Sequence, residues 1–141
     1  MCLYIPNSNK VKIKEAIGFV QISTKDIYVY KKFIPQKVYD NKKGHTLLVF
    51  TPYMDFEVSK DGDIMTTNKF GFKKEYYITV HQGIHAYIDK PNGALGAVNL
   101  IRCLIPAGTP YIIAGIEIVT LQLIIPPMKL IANGSLVEST L

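Results

Sequence analysis

The chain is dominated by runs in which apolar and polar residues alternate with a period of two. Residues 26–34, DIYVYKKFI, place Ile27, Val29 and Lys31 on one side and Tyr28, Tyr30 and Lys32 on the other. This alternation predicts a β-strand with one more hydrated end. Further runs rich in β-branched and aromatic residues predict strands at 45–51, 75–81 and 100–105 and in several pieces between 106 and 125.

Turn-forming residues separate these runs. Asp61-Gly62 is a strong turn dipeptide, and the breaks at Ala107-Gly108 and Ala114-Gly115 interrupt the apolar C-terminal stretch. Helical signals are few: a short irregular or helical piece near the N-terminus and a short helix that would begin near Asn92. The pattern predicts an α+β fold, mainly antiparallel β with one or two short helices.

Length and composition indicate one folded domain. The 141 residues fall near the commonest domain size, with 48% hydrophobic and 19% charged residues. A chain of this kind can bury a core and is not expected to be disordered. We predict a single domain covering residues 1–141.

The net charge of +5 is concentrated in the N-terminal third. Residues 1–43 contain nine lysines and three acidic residues, a balance of +6. Such a region can attract anions such as phosphates, although lysines are also common solubilising residues. Arg102 is the only arginine. This bias toward lysine disfavours bidentate recognition of bases, so no nucleic acid polymer is predicted as a partner.

Cys2 and Cys103 are the only cysteines, and no secretory signal is visible in MCLYIPNSNK. Both are predicted to be free thiols in a reducing, cytoplasmic setting. The run IVTLQLIIPP is too short to span a bilayer and predicts a buried strand, so no membrane association is expected.

Catalytic and metal-binding chemistry find little support. His81 and His85 lie in a stretch that favours extended structure, where four steps separate them by roughly 13 Å, too far to share one ion. Cys103 lies within LIRCLI, where a small buried hydrophobic residue is the expected role. We therefore predict no catalytic residues, no metal and no cofactor. An enzyme that uses His81 or His85 as a general base on a nucleotide remains an alternative.

Ligand binding is the reading that the ring-rich stretch VHQGIHAY favours. Aromatic faces can stack on a nucleobase, and a glycine beside polar rings often marks a close approach of a ligand or another backbone. The alternative is that most of the tyrosines pack into the core. The candidate ligand-binding residues are Gly83, His85, Tyr87, Asn92, Arg102, Thr109 and Tyr111.

Several motifs give the chain a family resemblance. MCLYIPNS, DIYVYK, TPYMDF, QGIHAYI and LIPAGTPYI…GIEIVTLQLII occur in this order. Together they resemble a group of small phage and prophage proteins of clostridia and their relatives. In length and architecture the chain is also similar to the phage anti-Thoeris sponge family.

The resemblance implies a function without chemistry. Sponge proteins bind cyclic ADP-ribose isomers made by bacterial TIR immune enzymes and hold them at the subunit interfaces of an oligomer. It implies a ligand near the G-x-H-x-Y element and the I-P-x-G-x-x-Y loop. The matching positions here are Gly83, His85, Tyr87, Thr109 and Tyr111, with Asn92 in the connecting segment.

The leading hypothesis is a phage-type anti-defence protein of the host cytoplasm. It would sequester a small nucleotide immune signal, a cyclic ADP-ribose isomer or a cyclic oligonucleotide, without cleaving it, as a homo-oligomer. The alternative is a phage interaction or structural protein that binds a host protein through an exposed β surface.

Overall fold

The computed structural model describes residues 3–42, 44–52, 56–90 and 99–139. Within these ranges the chain forms one 3-10 helix, Ile13–Phe19, and sixteen strands that pair only in antiparallel fashion. The strands are β1 (Leu3–Tyr4), β2 (Gln21–Ile22), β3 (Ile27–Lys32), β4 (Ile34–Asp40), β5 (Gly44–Phe50), β6 (Glu57–Val58), β7 (Asp63–Thr66), β8 (Gly71–Lys74), β9 (Ile78–Gln82), β10 (Ile84–Tyr87), β11 (Leu100–Ile105), β12 (Pro110–Ala114), β13 (Glu117–Thr120), β14 (Gln122–Ile125), β15 (Met128–Leu130) and β16 (Leu136–Glu138).

Eight of these strands form one large sheet, in the order β2-β12-β13-β10-β3-β11-β14-β7. At its centre β3 pairs with β11 over six residues, from Leu100 opposite Lys32 to Ile105 opposite Ile27. Two smaller sheets have the orders β1-β9-β8 and β4-β5-β6, and β15 and β16 form a hairpin. The large sheet is the scaffold on which the other elements pack.

A main core covers one face of the large sheet. It combines alternate residues of the central strands with side chains from β5, β6 and the β15–β16 hairpin. Phe33, which follows β3, is the largest fully buried side chain in it. Its buried members are Val29, Phe33, Val49, Val58, Ile84, Ala86, Ile101, Cys103, Ile105, Ile118, Leu123, Ile125, Met128 and Leu136.

A second core lies on the opposite face of the large sheet, at the β12–β13 end. Val119 and Ile112 from these two strands pack with residues of β1, β9 and the 3-10 helix. Its buried members are Leu3, Ile5, Ala16, Ile78, Val80, Ile112 and Val119. Ile118 belongs to the main core and Val119 to the second, so β13 contributes to both. Adjacent residues of a strand point to opposite faces, which explains this division.

The mainly antiparallel β prediction is confirmed. The strand predicted at 100–105 is β11, and the breaks at Ala107-Gly108 and Ala114-Gly115 are turns, with φ of +86° at Gly108 and +62° at Gly115. The N-terminal helical piece is the 3-10 helix, which is the only helix among the described residues. The helix predicted near Asn92 falls in 91–98, outside the described ranges.

One detail of the strand prediction is wrong. Lys31 was expected at the hydrated end of its strand, yet it is only 9% exposed, on the same face as Val29. Its Nζ donates a hydrogen bond to the His85 carbonyl oxygen at 2.7 Å, which satisfies the buried amine. A long side chain can bring its polar end to a buried acceptor in this way, and residue type alone does not reveal it.

No helix in the described ranges is long and apolar enough to cross a membrane.

Candidate functional site: the aromatic face of the large sheet

The alternation of β3 places Tyr28 and Tyr30 on the face of the large sheet opposite the main core. Val29 between them is fully buried in that core, whereas Tyr28 is 59% exposed and Tyr30 is half-buried. Among the described residues, the second core covers this face only near β12 and β13. Around β3 and β11 the tyrosines therefore remain accessible.

Two of the predicted ligand-binding residues flank Tyr30. Tyr87 of β10 pairs with Tyr30 on one side, and Arg102 of β11 pairs with it on the other. Directly opposed residues of antiparallel strands share a face, with Cβ atoms about 4.5–5.5 Å apart. The row Tyr87–Tyr30–Arg102 thus crosses three neighbouring strands. We call Tyr28, Tyr30, Tyr87 and Arg102 the aromatic face.

Cations lie against the rings of the aromatic face. The guanidinium carbon of Arg102 is 4.7 Å from the centroid of the Tyr28 ring. At the margin, Lys90 Nζ is 5.5 Å from the centroid of the Tyr30 ring. Both distances are typical of cation–π contacts, which orient a charged group while leaving it hydrated. The face therefore combines flat rings with positive charge.

An apolar row continues from the aromatic face toward β7. Tyr28 pairs with Leu104, Leu104 with Ile124, and Ile124 with Ile64, which is 57% exposed. Ile124 also lines an open hollow of about 410 Å³ between β7, β14 and the 106–110 loop. The accessible surface thus extends beyond the rings and ends in this hollow.

Thr109, another predicted residue, borders this hollow but serves the protein's own structure. It is buried, its N–H donates to Ser23 Oγ at 3.1 Å and its carbonyl accepts from the Ser23 N–H at 3.0 Å. Tyr111 lies on the main-core face, because it pairs with Thr120, which pairs with Ile84. Its hydroxyl donates to Gln21 Oε1 at 3.0 Å. The structure does not bring these residues together with Tyr87 and Arg102.

His85 shares a face with Tyr87 but lies where the second core begins. It pairs with Val119, and its buried Nε2 has no hydrogen-bond partner within the described ranges. Burial is the main reason that the pKa of His85 falls from 6.5 to about 4, and the nearby Lys31 charge lowers it further. His85 is therefore neutral at neutral pH and carries no positive charge with which to bind a phosphate.

Gly83 connects β9 to β10 with a φ of +140°. A Cβ there would lie 2.3 Å from Val119 Cγ1, so a close approach does require glycine. The group that lies close to Gly83 is the Val119 side chain of the protein itself. Asn92, the remaining predicted residue, lies outside the described residues.

The Cys103 thiol and the Lys31 amine are poorly placed for catalysis. Cys103 is a free, buried thiol whose pKa is raised to about 12, chiefly by burial, with the Lys31 charge opposing the rise. The pKa of Lys31 is lowered to about 8, again mainly by burial. Within the described ranges no group of three or more His, Cys, Asp or Glu residues is arranged to hold a metal ion.

Sequence reasoning missed Tyr28 and Tyr30, which form the centre of the aromatic face. The signal was the spacing of two tyrosines on the same side of one strand, opposite the apolar Val29. Arg102, in LIRCLI, likewise alternates with buried Ile101 and Cys103.

No protein-family model matches the chain, and no curated protein or solved structure matches it either.

Proposed function

We propose that the chain binds a small nucleotide on its aromatic face and holds it without cleaving it. The observation that carries this proposal is the row Tyr87–Tyr30–Arg102 beside Tyr28, with the Arg102 guanidinium over the Tyr28 ring. Stacking on an aromatic side chain contributes about 1–3 kcal/mol per base. An arginine fork can hold a phosphate through two parallel hydrogen bonds.

Sequestration fits the chemistry of the nearby groups. Capture needs complementary shape and charge but no nucleophile or base. Cys103 is buried with a raised pKa, and His85 is neutral and faces the second core. In line with the family resemblance, we propose a phage-type anti-defence protein that acts in the host cytoplasm as a homo-oligomer. The ligand would be an immune signal, a cyclic ADP-ribose isomer or a cyclic oligonucleotide.

Calorimetry with cyclic ADP-ribose isomers and with cyclic di- and trinucleotides tests this proposal. For the ligand that binds, Arg102→Gln should weaken binding about 10- to 100-fold, since charge-assisted hydrogen bonds contribute about 1.5–3 kcal/mol. Tyr28→Leu should weaken it about 5- to 100-fold through lost stacking. Tyr76→Leu and Lys73→Gln are matched controls, because both residues are exposed and lie on or next to β8, which belongs to a different sheet from the aromatic face. Absence of heat with every ligand at high micromolar protein would refute the proposal.

Recovery of the ligand separates capture from catalysis. The protein is incubated with the bound nucleotide and then denatured by heat. Sequestration returns the nucleotide intact in a one-to-one proportion to protein sites. Cleaved product would instead support the enzyme alternative with His81 or His85 as general base.

A second candidate function is the binding of a host protein through the same side of the sheet. The specific observation in its favour is the accessible row Tyr28–Leu104–Ile124–Ile64. Ile64→Asp should abolish such a complex, because it places a charge in an apolar interface, while leaving nucleotide affinity within about two-fold. If Ile64→Asp and Arg102→Gln each abolish nucleotide binding, a single ligand that spans the aromatic face and the apolar row is favoured.

A further inference from the structure

Strand β4 is a long, exposed sheet edge. Its seven residues pair with β5 from Ile34 opposite Phe50 to Asp40 opposite Gly44, and among the described residues no other strand pairs with it. Six of the seven residues are exposed, including Val38 at 36% and Tyr39 at 65%. An edge of this length presents unpaired backbone groups to any strand that can match it.

The backbone direction of β4 follows from Pro35. Proline has no N–H, so in a sheet its nitrogen is placed on the unpaired side of an edge strand. Backbone groups alternate between the two sides of a strand. Lys37 and Tyr39 therefore direct their N–H and C=O groups outward, and Val38 directs its own toward β5.

The side chains of β4 match a second copy of the same strand in one antiparallel register. With Val38 opposite Val38 of the second copy, each Lys37 lies opposite a Tyr39 and each Gln36 opposite an Asp40. The first contact is apolar, the second is a cation–π pair and the third is an amide–carboxylate hydrogen bond. A register centred on Lys37 would oppose two like charges, which is destabilising.

We propose that two copies of the chain associate through β4 about a two-fold axis centred on Val38. The outward groups of Lys37 and Tyr39 then form four backbone hydrogen bonds between the copies. The two β4-β5-β6 sheets join into one six-stranded sheet. On its Val38 face, Gln36, Asp40 and Thr46 of each copy surround the central valine pair, because residues 36, 38 and 40 share a face with their β5 partners.

Light scattering during size-exclusion chromatography gives the first test, and it needs no nucleotide. A dimer of the 15.8 kDa chain has about twice that mass. The dimer fraction should rise with protein concentration between about 1 and 500 μM, because an interface made by one strand pair falls in the small, transient class. A monomer throughout this range overturns the proposal.

Val38→Lys gives the matched disruption. It places two lysines opposite each other at the axis and should shift the midpoint of dimerisation at least ten-fold toward higher concentration. Thr46→Lys is the control, because Thr46 pairs with Val38 on the β5 side, away from the second copy. Unchanged circular dichroism in both variants shows that the hairpin still folds.

Disulfide trapping tests the register itself. In a Cys2→Ser background, Val38→Cys should form a cross-linked dimer under mild oxidation, because directly opposed residues without mutual hydrogen bonds have Cα atoms about 4.5 Å apart. Thr46→Cys should not, since it would be about 14 Å from its counterpart, three strand spacings away. Cys103 is buried and does not interfere.

The outcomes are distinct. Cross-linking at Val38 but not at Thr46, together with disruption by Val38→Lys, supports the β4 dimer. A wild-type dimer that resists Val38→Lys and does not cross-link at Val38 uses another surface and refutes the proposal.

Discussion

At the scale of single residues, Gly83 shows how a local backbone requirement arises from packing. Its φ of +140° is a conformation that residues with a side chain rarely adopt, and Val119 occupies the space of a Cβ. The sequence motif around it suggested a site for a ligand. The structure shows that the chain fills this space itself.

Gly83→Ala should therefore lower the free energy of unfolding by about 2–4 kcal/mol, through backbone strain and overpacking against Val119. Urea denaturation followed by circular dichroism measures this change. Gly18→Ala is the control, because a Cβ at Gly18 would meet no atom of the other described elements within 4 Å. A loss at Gly83 no larger than at Gly18 would show that β10 can shift away from β13.

Because the pKa of His85 is lowered, we expect the protein to lose stability in acid. Its pKa is about 4 in the folded protein and about 6.5 when unfolded, so between these values the unfolded state binds the extra proton. Stability is thus fully present above pH 6.5 and falls as the pH drops toward 4.

The measurement is the urea midpoint at pH 7, 5.5 and 4.5. His85→Gln should lose less stability over this range than the wild type, because its side chain does not titrate. His45→Gln, at an exposed position on β5, should behave as the wild type does. Equal acid sensitivity in all three proteins would exclude His85 as the source.

At the scale of elements, Ser23 joins two loops that are far apart in sequence. Its hydroxyl donates to the Pro106 carbonyl at 2.9 Å and accepts from the Thr109 N–H at 3.1 Å. This buried contact fixes the 106–110 loop that leads into β12. Thr109, which the sequence analysis predicted to bind a ligand, is part of this contact between the two loops.

Ser23→Ala leaves the Thr109 N–H and the Pro106 carbonyl without their partner. We expect a loss of about 1–3 kcal/mol in the free energy of unfolding, because unsatisfied buried polar groups cost this much. Ser59→Ala, which removes only an exposed bond from the Asp61 N–H, should cost much less. Thermal and urea denaturation of both variants provide the comparison.

Lys31 links β3 to β10 and predicts a rise of stability in mild alkali. Its pKa is about 8 in the folded protein and 10.5 in the unfolded chain, so between these values the unfolded state binds more protons. Stability should increase between pH 8 and 9 by up to about 1.4 kcal/mol, the value of one proton per pH unit. Above pH 9 Cys103 opposes the trend, because its pKa rises from 9.0 to about 12 on folding.

Lys31→Met should remove the increase between pH 8 and 9, whereas Lys37→Met, on the exposed β4, should retain it. The free energy of unfolding at the two pH values decides the matter. If the free energy of unfolding of Lys31→Met still rises between pH 8 and 9, the rise comes from another group.

At the scale of the whole molecule, the two cores share strand β13. Ile118 packs into the main core and Val119 into the second, so neither core can be disrupted without moving the strand that completes the other. That residues 1–141 form a single domain stays a prediction.

We expect the two cores to unfold in one cooperative transition. Nuclear magnetic resonance signals of Val29 in the main core and Val80 in the second should disappear at the same urea concentration, as in two-state unfolding. A separate, earlier loss of the Val80 signal would define β1, β8, β9 and the 3-10 helix as an independent unit.

Local patterns in the sequence predicted several of the strands, among them β3, β5 and β11, and the turns at 107–108 and 114–115. The period of two in 26–34 and 100–105 indicates which residues share a face, because successive side chains of a strand point to opposite faces. Glycine breaks at 108 and 115 were readable for a similarly local reason, the positive φ that the turns require. The sequence also singled out Tyr87 and Arg102, since both carry chemistry on strands rich in apolar residues.

Which strands are neighbours and which side chains meet depends on packing between segments that are distant in sequence. The row Tyr87–Tyr30–Arg102 joins strands far apart in the chain, and no local pattern specifies their order in the sheet. Non-local packing likewise determines three further features: the burial of Lys31, the hydrogen bonds between Thr109 and Ser23, and the placement of Tyr111 toward the main core. Alternation tells that a strand has two faces, but only the packed layers determine which face is covered and what remains for a ligand.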